Sequence, residues 1–380
     1  MFNVFAALLL GFASAFAAQA DRSERARDLG IHFEGETGTF NAITDVPGVA
    51  VNLVTIVANP DGDPHAARTG ITAIFPKVQA PDSHVPGALY SLNGNGEMTG
   101  ALWLQESGDL EGPILLTNTY SVGLVRDTVR EWAAKRYPTH PDQYDDTLSL
   151  PIVGETFDGF LSDINGMHVK KDHVYQALKN PSTGPVAEGN VGGGTGMSCF
   201  GFKCGTGTSS RRVKAGGKDY VVGVLVQANY GAREDLMVQG VSLARQFTDL
   251  RPVHGEKKKK DGSIIVVVAT NAPLLPGQLK RLAQRVPLGL GRAGSIGDNS
   301  SGDIFIAFST VSPQGAAPHL QVWHVLPNEM LADVFRAVSR ATEEAVINAL
   351  VAAETMTGVL GNKMYAIPHQ RLLDALKKKP

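Results

Sequence analysis

Residues 261–276 of the chain read DGSIIVVVATNAPLLP. The continuous apolar and largely β-branched run at 264–269 predicts a strand that is buried on both faces, deep in a layered sheet. The stretch just before it, 248–261, is polar and contains four consecutive lysines at 257–260, which predicts an exposed loop. The bond between Gly262 and Ser263 therefore lies where an exposed loop meets a buried strand.

Short apolar runs separated by Gly and Pro predict further strands, and helices are interleaved with them. The strands are expected at 49–57, 70–75, 114–116, 221–227 and 304–309. Apolar residues at helical spacing predict helices at 123–135, 276–286 and 328–353. Thr342, Glu343 and Glu344 lie in the last of these, where we expect solvated carboxylates and not a catalytic group.

The composition is that of a soluble globular protein with a sizeable core. Of 380 residues, 43% are hydrophobic and 19% are charged, and the formal net charge of -2 gives no electrostatic reason to expect nucleic acid or an anionic membrane as partner. The apolar run at 2–18 ends in Ala18-Gln19-Ala20, which predicts a signal peptide at 1–20 and a periplasmic or secreted protein. No Lys or Arg precedes this run, so an uncleaved anchor helix is the alternative.

The sequence holds two cysteines, Cys199 and Cys204, in a Gly-rich stretch. An exported protein can keep a disulfide, and a short-loop bridge and two packed thiols are both open at this point. Cys and His do not occur at zinc-binding spacing. We expect no metal or organic cofactor.

Sequence signatures of the common nucleophiles are absent. The chain has no G-x-S-x-G, no S-x-x-K with its partner motifs and no H-E-x-x-H, and the glycines at 192–196 lack the lysine of a phosphate loop. One remaining chemistry is that of a serine at the start of a chain. Its own α-amino group, with an unperturbed pKa of about 7.7–8.0, can take the hydroxyl proton. A cut between Gly262 and Ser263 would create such a serine.

Seven ordered segments resemble the DmpA/BapA family of L-aminopeptidase/D-esterases and β-aminopeptidases. They are GNGEMTG (94–100), LTNTYSVGLVRD (116–127), VGETFDG (153–159), GNVGGGTGM (189–197), GVLVQANYG (223–231), DGSIIVVVATNAPLLP (261–276) and SSGDIFIAFST (300–310). The resemblance runs from about residue 30 to the C-terminal region. It implies an α/β fold, a four-layer α/β/β/α sandwich of the kind shared with the ornithine acetyltransferases.

The resemblance also implies self-cleavage. The mature part, 21–380, is expected to be a single peptidase domain that is cut into an α chain, 21–262, and a β chain, 263–380. The two chains stay associated, and the two-chain unit assembles into a tetramer. The implied substrates are short peptides, amides or esters with a free N-terminal amine.

Site residues follow from the same resemblance, one position at a time. Ser263 matches the nucleophile, and Ser301 matches a second serine near the new amino group. Asp303 falls where the family has an acidic residue, often Glu. Asn229 matches the side chain that polarises the substrate carbonyl.

The substrate end of the implied site is contributed by VGETFDG. Glu155 matches the carboxylate that receives the substrate ammonium group. Phe157 lies where some members carry a hydroxyl-bearing aromatic residue, so that any role of a phenol is lost here.

Plainer interpretations of these residues stay open from the sequence. Asn229 can cap a strand end in a turn, Glu155 can be a turn or N-cap partner, and 301–303 can form only a turn. Two other functions are also open. An acyltransferase of the ornithine acetyltransferase type uses a threonine nucleophile, and Ser263 favours the hydrolase; a non-catalytic exported binding protein would not cut itself.

Overall fold

The computed structural model describes residues 24–137, 148–253, 262–312, 320 and 322–378. The predicted signal peptide, 1–20, lies outside the described residues, as does most of the charged loop before Gly262. Among the residues that are described, no helix combines the length and the apolarity that crossing a bilayer requires.

Strands account for most of the regular structure in the described ranges. In chain order they are β1 (Ala50–Ala58), β2 (Ala67–Phe75), β3 (His84–Ser91), β4 (Asp109–Glu111), β5 (Ile114–Asn118), β6 (Ile152–Thr156), β7 (Ser198–Cys199), β8 (Phe202–Lys203), β9 (Thr206–Ala215), β10 (Lys218–Asn229), β11 (Met237–Val238), β12 (Val241–Ser242), β13 (Ser263–Thr270), β14 (Gly302–Ser309), β15 (Met356–Thr357) and β16 (Lys363–Met364). The helices are α1 (Ala101–Ser107), α2 (Val122–Arg136), α3 (Lys171–Ala177), α4 (Pro276–Ala283), α5 (Val286–Arg292), α6 (Ala332–Val351) and α7 (His369–Lys377).

Two larger sheets are stacked between two layers of helices. One sheet has the order β1-β2-β5-β6 and the other β4-β3-β14-β13-β10-β9. Helices α2 and α3 pack on the four-stranded sheet, α4 and α6 pack on the six-stranded sheet, and α5 packs on α6. Separate apolar cores fill the space between the sheets and the space between each sheet and its helices. The predicted four-layer α/β/β/α sandwich is confirmed.

The strand that was predicted from 264–269 lies inside the six-stranded sheet. β13 pairs antiparallel with β10 on one side and parallel with β14 on the other. All eight of its residues are buried. Its β-branched side chains alternate between the core under the helices and the core between the sheets, which explains why the run has no polar position.

The glycines at 192–194 allow neighbouring backbone and side chains to approach closely. Gly192–Gly194 forms a single 3-10 turn that contacts strands of both sheets. A Cβ on Gly193 would lie 1.9 Å from Oε1 of Gln227, so no side chain fits there.

Two predicted helices differ from the structure at their ends. The predicted helix at 276–286 was one element, but the chain forms α4 and α5 with a break after Ala283. Pro287 lies in the first turn of α5, the place in a helix that tolerates a missing N–H. The last long helix begins at Ala332 and not at Asn328, because Asn328–Met330 forms a separate 3-10 turn.

The prediction of solvated carboxylates on α6 was wrong. Thr342 and Glu344 are fully buried and Glu343 is 6% exposed. Glu344 accepts hydrogen bonds from Arg27 at 2.7 Å and from Arg211 at 2.6 Å. Since both arginines come from distant parts of the chain, spacing along the helix alone could not indicate them.

Cys199 and Cys204 form a disulfide, with a Cα–Cα distance of 5.3 Å. Of the two alternatives left open by the sequence, the structure has the short-loop bridge. The bridge closes a tight hairpin made of β7 and β8.

Candidate active site

Ser263 is the first residue of β13 and is held on both sides. It pairs with Asn229, the last residue of β10, and with Gly302, the first residue of β14. Its exposed fraction is 6%, and Gly262 before it is half-buried. The predicted cleavage site therefore lies at the end of a buried strand ladder, at the point where the chain enters β13.

The carbonyl group of Gly262 is fixed by the neighbouring strand. Its oxygen accepts a hydrogen bond from the N–H of Gly302 at 3.2 Å. A Cβ on Gly302 would lie 2.4 Å from the carbonyl oxygen of Asn95, so only glycine allows this approach. A backbone donor at this oxygen can stabilise negative charge that develops there when the carbonyl carbon is attacked.

Ser301 and Asp303 flank Gly302 and lie close together. Both are buried, and the Ser301 hydroxyl donates a hydrogen bond to Oδ1 of Asp303. The amide group of Asn93 donates to Oδ2 at 3.4 Å. The two side chains, two positions apart, thus lie on one side of the chain, and 301–303 is more than a turn.

Burial and hydrogen bonding have opposite effects on the pKa of Asp303. Burial raises the pKa of its carboxyl group, and the Ser301 hydroxyl, the Ile264 backbone N–H and the Asn93 amide oppose that rise. Asp303 pairs with Ile264 in the ladder, so its side chain shares the face of Ile264, whereas Ser263 shares the face of Ile265. The carboxyl group therefore approaches β13 from the side opposite the Ser263 hydroxyl.

Asn229 makes two directed hydrogen bonds to distant segments. Its Oδ1 accepts from the Ser198 backbone N–H at 3.0 Å, and its Nδ2 donates to the Phe157 carbonyl oxygen at 2.9 Å. An amide nitrogen carries two hydrogens, so one bond to Phe157 leaves a second donor. Neither partner belongs to a local turn, which argues against the simple turn-capping interpretation.

Glu155 is buried, and both oxygens of its carboxylate accept hydrogen bonds. Oε1 accepts from the Glu97 backbone N–H at 2.9 Å, and Oε2 accepts from the Thr119 hydroxyl at 2.5 Å. Burial raises the pKa of Glu155, and these two hydrogen bonds oppose the rise. The donors lie 58 and 36 residues away along the chain, so Glu155 is not a partner in a local cap.

The Gly96 backbone lies close to both Glu155 and Gly302. A Cβ placed on Gly96 would lie 3.3 Å from Oε1 of Glu155 and 3.3 Å from Cα of Gly302. The segment GNGEMTG therefore lies between Glu155, which comes from the four-stranded sheet, and Gly302, which comes from the six-stranded sheet. The carboxylate is consequently close to the start of β14, which flanks Ser263.

Phe157 takes part through its backbone. Its carbonyl oxygen accepts the hydrogen bond from Asn229, while its ring lies over Gly159, where a Cβ would be 2.4 Å from Cζ. The structure thus brings Phe157 to the predicted site as a partner of Asn229.

Several residues of this site were not found from the sequence. Thr119, Glu97 and Asn93 lie in or beside the motifs quoted above, yet a hydroxyl, a backbone N–H or an amide in a loop has no spacing signal of its own. Ser198 lies just beyond GNVGGGTGM, and only its backbone N–H is used. Only Thr119 and Asn93 had a signal in the sequence, because they follow the ends of the short apolar runs that form β5 and β3.

Asp158, next to Phe157, is a fully buried carboxyl group. Among the described residues neither of its oxygens has a hydrogen-bond partner. Burial raises its pKa to about 7, and Thr69 and Asn118 lie near enough to oppose the rise without reaching hydrogen-bond geometry. Glu155 adds to the rise by like-charge repulsion.

Comparison with known proteins identifies the family. The model of peptidase family S58 matches residues 41–364. The β-peptidyl aminopeptidase BapA of Sphingosinicella microcystinivorans is 46% identical, over 98% of this chain and 97% of the relative.

Solved structures agree with this family and with the fold. The L-aminopeptidase D-Ala-esterase/amidase of Ochrobactrum anthropi, described as a prototype for the serine aminopeptidases and a variant of the Ntn hydrolase fold, matches with a TM-score of 0.86 and 44% identity, over 93% of this chain and 98% of that one. A β-aminopeptidase of Burkholderia sp. matches with a TM-score of 0.82 and 43% identity, over 94% and 100%.

These similarities cover nearly the whole described structure, including every residue of the candidate site. They confirm the resemblance that the seven segments indicated, and they confirm the prediction of a serine aminopeptidase. The chain belongs to peptidase family S58.

Proposed function

We propose that this aminopeptidase cuts its own chain between Gly262 and Ser263 and then uses Ser263 as its nucleophile. One observation carries the proposal: Ser263 begins a strand that is paired on both sides, and the carbonyl before it is held by the Gly302 N–H. A cut at this place would free an amino group without removing Ser263 from the sheet.

The proposed cut uses only Ser263 and water. The Ser263 Oγ attacks the Gly262 carbonyl carbon, the C–N bond breaks, and the hydroxyl proton passes to the departing nitrogen, which leaves an ester. The Gly302 N–H stabilises the oxyanion of this step. Water then hydrolyses the ester and gives a carboxylate on Gly262 and a free amine and hydroxyl on Ser263.

In turnover the new amine serves as the base for the Ser263 hydroxyl. The Ser263 Oγ attacks the substrate carbonyl, and Asn229, which lies opposite Ser263 in the ladder, donates its second N–H to the oxyanion. Ser301 and Asp303 hold the ammonium group that forms on Ser263. We assign Asp303 to the nitrogen and not to the hydroxyl because its side chain lies on the face of β13 opposite the Ser263 side chain.

Glu155 selects the substrate. A buried carboxylate with two hydrogen bonds is a fixed negative charge for a cationic amine. The named relatives act as a β-peptidyl aminopeptidase and as an L-aminopeptidase with D-Ala-esterase/amidase activity. We therefore propose short peptides, amides or esters with a free α- or β-amine as substrates.

The proposal extends to assembly and location. The α and β chains, 21–262 and 263–380, stay associated, and the two-chain units form a tetramer. Residues 1–20 direct export to the periplasm or beyond. The Cys199–Cys204 disulfide supports export, because such bridges persist mainly in oxidising compartments.

Intact mass spectrometry tests the self-cleavage. The wild type is expected to give two chains, the smaller beginning Ser-Ile-Ile-Val, and active protein. Ser263→Ala is expected to give one inactive chain, and Ser263→Thr, which keeps a hydroxyl group, is expected to give two chains again. Full activity from an uncut wild-type chain would contradict the proposal.

A further inference from the structure

The disulfide hairpin, residues 197–204, is built as a rigid unit. Ser198 pairs with Lys203 and Cys199 with Phe202, and the turn residues Phe200 and Gly201 have φ angles of 51° and 68°. Positive φ at both central residues is what a two-residue type I′ hairpin turn requires. The Cys199–Cys204 bond then joins the two arms.

A buried lysine ties the ends of this hairpin together. Lys203 is fully buried, and its Nζ donates to the carbonyl oxygens of Met197 at 2.9 Å and of Cys204 at 2.5 Å. The Cys204 N–H also donates to the Met197 carbonyl at 3.1 Å. A buried polar group holds its place when its hydrogen bonds are satisfied, so the two ends have little freedom to separate.

A second set of contacts clamps the hairpin tip to the segment after β10. The Phe200 N–H donates to the Tyr230 carbonyl at 2.9 Å, and Nε of Arg233 donates to the Phe200 carbonyl at 2.7 Å. The Arg233 guanidinium also lies 3.3 Å from the centre of the Phe202 ring. The tip is thereby anchored one residue beyond Asn229.

The hairpin and the Phe157 carbonyl together fix which way the Asn229 amide faces. A backbone N–H can only donate, so the Ser198 N–H at 3.0 Å requires the amide oxygen on its side. The amide nitrogen then faces the Phe157 carbonyl, to which it donates at 2.9 Å, and Asn229 itself lies opposite Ser263 in the ladder. With the amide reversed, the oxygen would face the substrate oxyanion and repel it.

We propose that the disulfide hairpin is a positioning device for Asn229: the Cys199–Cys204 bridge holds the Ser198 N–H where it fixes the amide with its N–H groups towards the substrate. This inference rests on the proposed role of Asn229 in turnover. Ser198, Cys199 and Cys204 are positioning residues, because they touch Asn229 or hold its partner and not the reacting atoms.

A double-mutant cycle tests the device in the mature enzyme. Steady-state kcat and KM are measured for the wild type, Cys199→Ala/Cys204→Ala, Asn229→Ala and the combined variant. Loss of the oxyanion donor in Asn229→Ala is expected to lower kcat by about 10²-fold. Loss of the bridge is expected to lower kcat by roughly tenfold with KM nearly unchanged, because the amide is still present but is misplaced part of the time.

The combined variant is decisive. If the bridge acts through Asn229, its removal lowers kcat no further once Asn229 is gone. Independent losses that multiply in the combined variant would overturn the inference, and so would a full wild-type kcat without the bridge. A wild-type kcat in Asn229→Ala would instead contradict the proposed function, so the two failures are distinguishable.

Two further variants separate positioning from loss of stability. Ser198→Pro keeps both cysteines and removes the N–H that binds Asn229, at the first residue of β7 where a strand tolerates proline, so it is expected to show the same loss in kcat even if the variant without the bridge folds poorly. Val129→Ala, in α2, destabilises the separate core between the four-stranded sheet and its helices, which does not include the hairpin, and is expected to leave kcat unchanged. A kcat loss in Val129→Ala equal to that of Ser198→Pro would overturn the inference.

Discussion

In the proposed mechanism a single buried side chain, Glu155, sets the acid limit of activity. Burial alone would favour the neutral carboxylic acid, and the Thr119 hydroxyl and the Glu97 N–H favour the anion. Only the anion attracts a cationic amine. The affinity for substrate should therefore depend on these two donors as much as on the carboxylate itself.

Thr119→Val tests this dependence. Without the hydroxyl donor the pKa of Glu155 rises, so the acid limb of kcat/KM against pH is expected to move to higher pH. Thr119→Ser keeps the donor and is the matched control, with an acid limb near that of the wild type. An acid limb in Thr119→Val that stays in place or moves to lower pH would show that Glu155 does not govern substrate binding.

Asp158 lowers the stability of the fold, and its effect depends on pH. Its pKa in the folded protein, about 7, lies above the ordinary value of an unfolded chain. The folded state therefore binds the proton more tightly, and stability falls as the pH rises towards 7, by up to about 1.4 kcal/mol per pH unit. The loss is complete only above the folded pKa.

Asp158→Asn, made in the uncut Ser263→Ala background, removes this loss. We expect the Tm gain over the parent to be larger at pH 8 than at pH 5, as measured by thermal unfolding at both values. Asp219→Asn, at an exposed position, should show no such difference between the two pH values. An equal Tm difference at both pH values would mean that Asp158 does not change its charge on folding.

At the scale of elements, α6 is fixed to the six-stranded sheet by a buried ionic cluster. Burial alone would raise the pKa of Glu344, but Arg27, Arg211 and Asn41 outweigh it and hold the pKa below its usual range. The Asn41 amide donates to Glu344 at 2.6 Å, in addition to the two arginines. Such a cluster is costly to disrupt because it leaves uncompensated charge inside the protein.

Glu344→Gln is therefore expected to lower the free energy of unfolding by about 3–5 kcal/mol. Asp333→Asn removes the exposed ion pair with Arg336 on the same helix and is expected to change it by less than about 1 kcal/mol. Denaturant unfolding of the uncut Ser263→Ala protein measures both. A Glu344→Gln protein as stable as its parent would show that the cluster does not stabilise the fold.

The elements that sequence predicted well are those whose patterns are local. The runs at 264–269 and 304–309 lie inside β13 and β14, since a strand buried on both faces needs apolar residues at every position. The break between α4 and α5 was missed because the apolar spacing continues across it, although Pro287 marked the place.

The groups of the candidate site also fall into those that local sequence motifs indicate and those that only the folded chain shows. Ser263, Asn229, Ser301 and Asp303 lie at strand ends that motifs identify, and the sheet brings those ends together. The Gly302 N–H and the Ser198 N–H could not be predicted, because every residue except proline carries such a group and only the folded chain shows where it points. Glu344 was misjudged for a related reason, since its partners are remote in sequence.

At the scale of the whole molecule, the proposed cut divides a chain whose two parts are interleaved. β13 and β14 belong to the part after Ser263, and they lie between β3 and β10 of the part before it. Helices α4 and α6, also from the later part, cover the same sheet. The four-stranded sheet belongs wholly to the earlier part, but the six-stranded sheet is incomplete in either part without the other.

We therefore expect the two chains to elute together in size-exclusion chromatography under native conditions and to separate only under denaturing conditions. The ladder hydrogen bonds on both sides of β13 and the core beneath α6 must be lost before the chains part. The Ser263→Ala precursor, run beside it, should elute at the same position. A smaller chain that elutes alone from native enzyme would contradict this arrangement.

The central position of β13 has a consequence for the lifetime of the enzyme. An intact precursor can assemble this sheet within one molecule, whereas a cut enzyme that has been unfolded must reunite two separate polypeptides in the right register. If the chain is cut as proposed, it folds before the cut, and the lifetime of the mature form is then governed by its rate of unfolding. Thermal unfolding should be reversible in the uncut Ser263→Ala protein and largely irreversible in the cut enzyme.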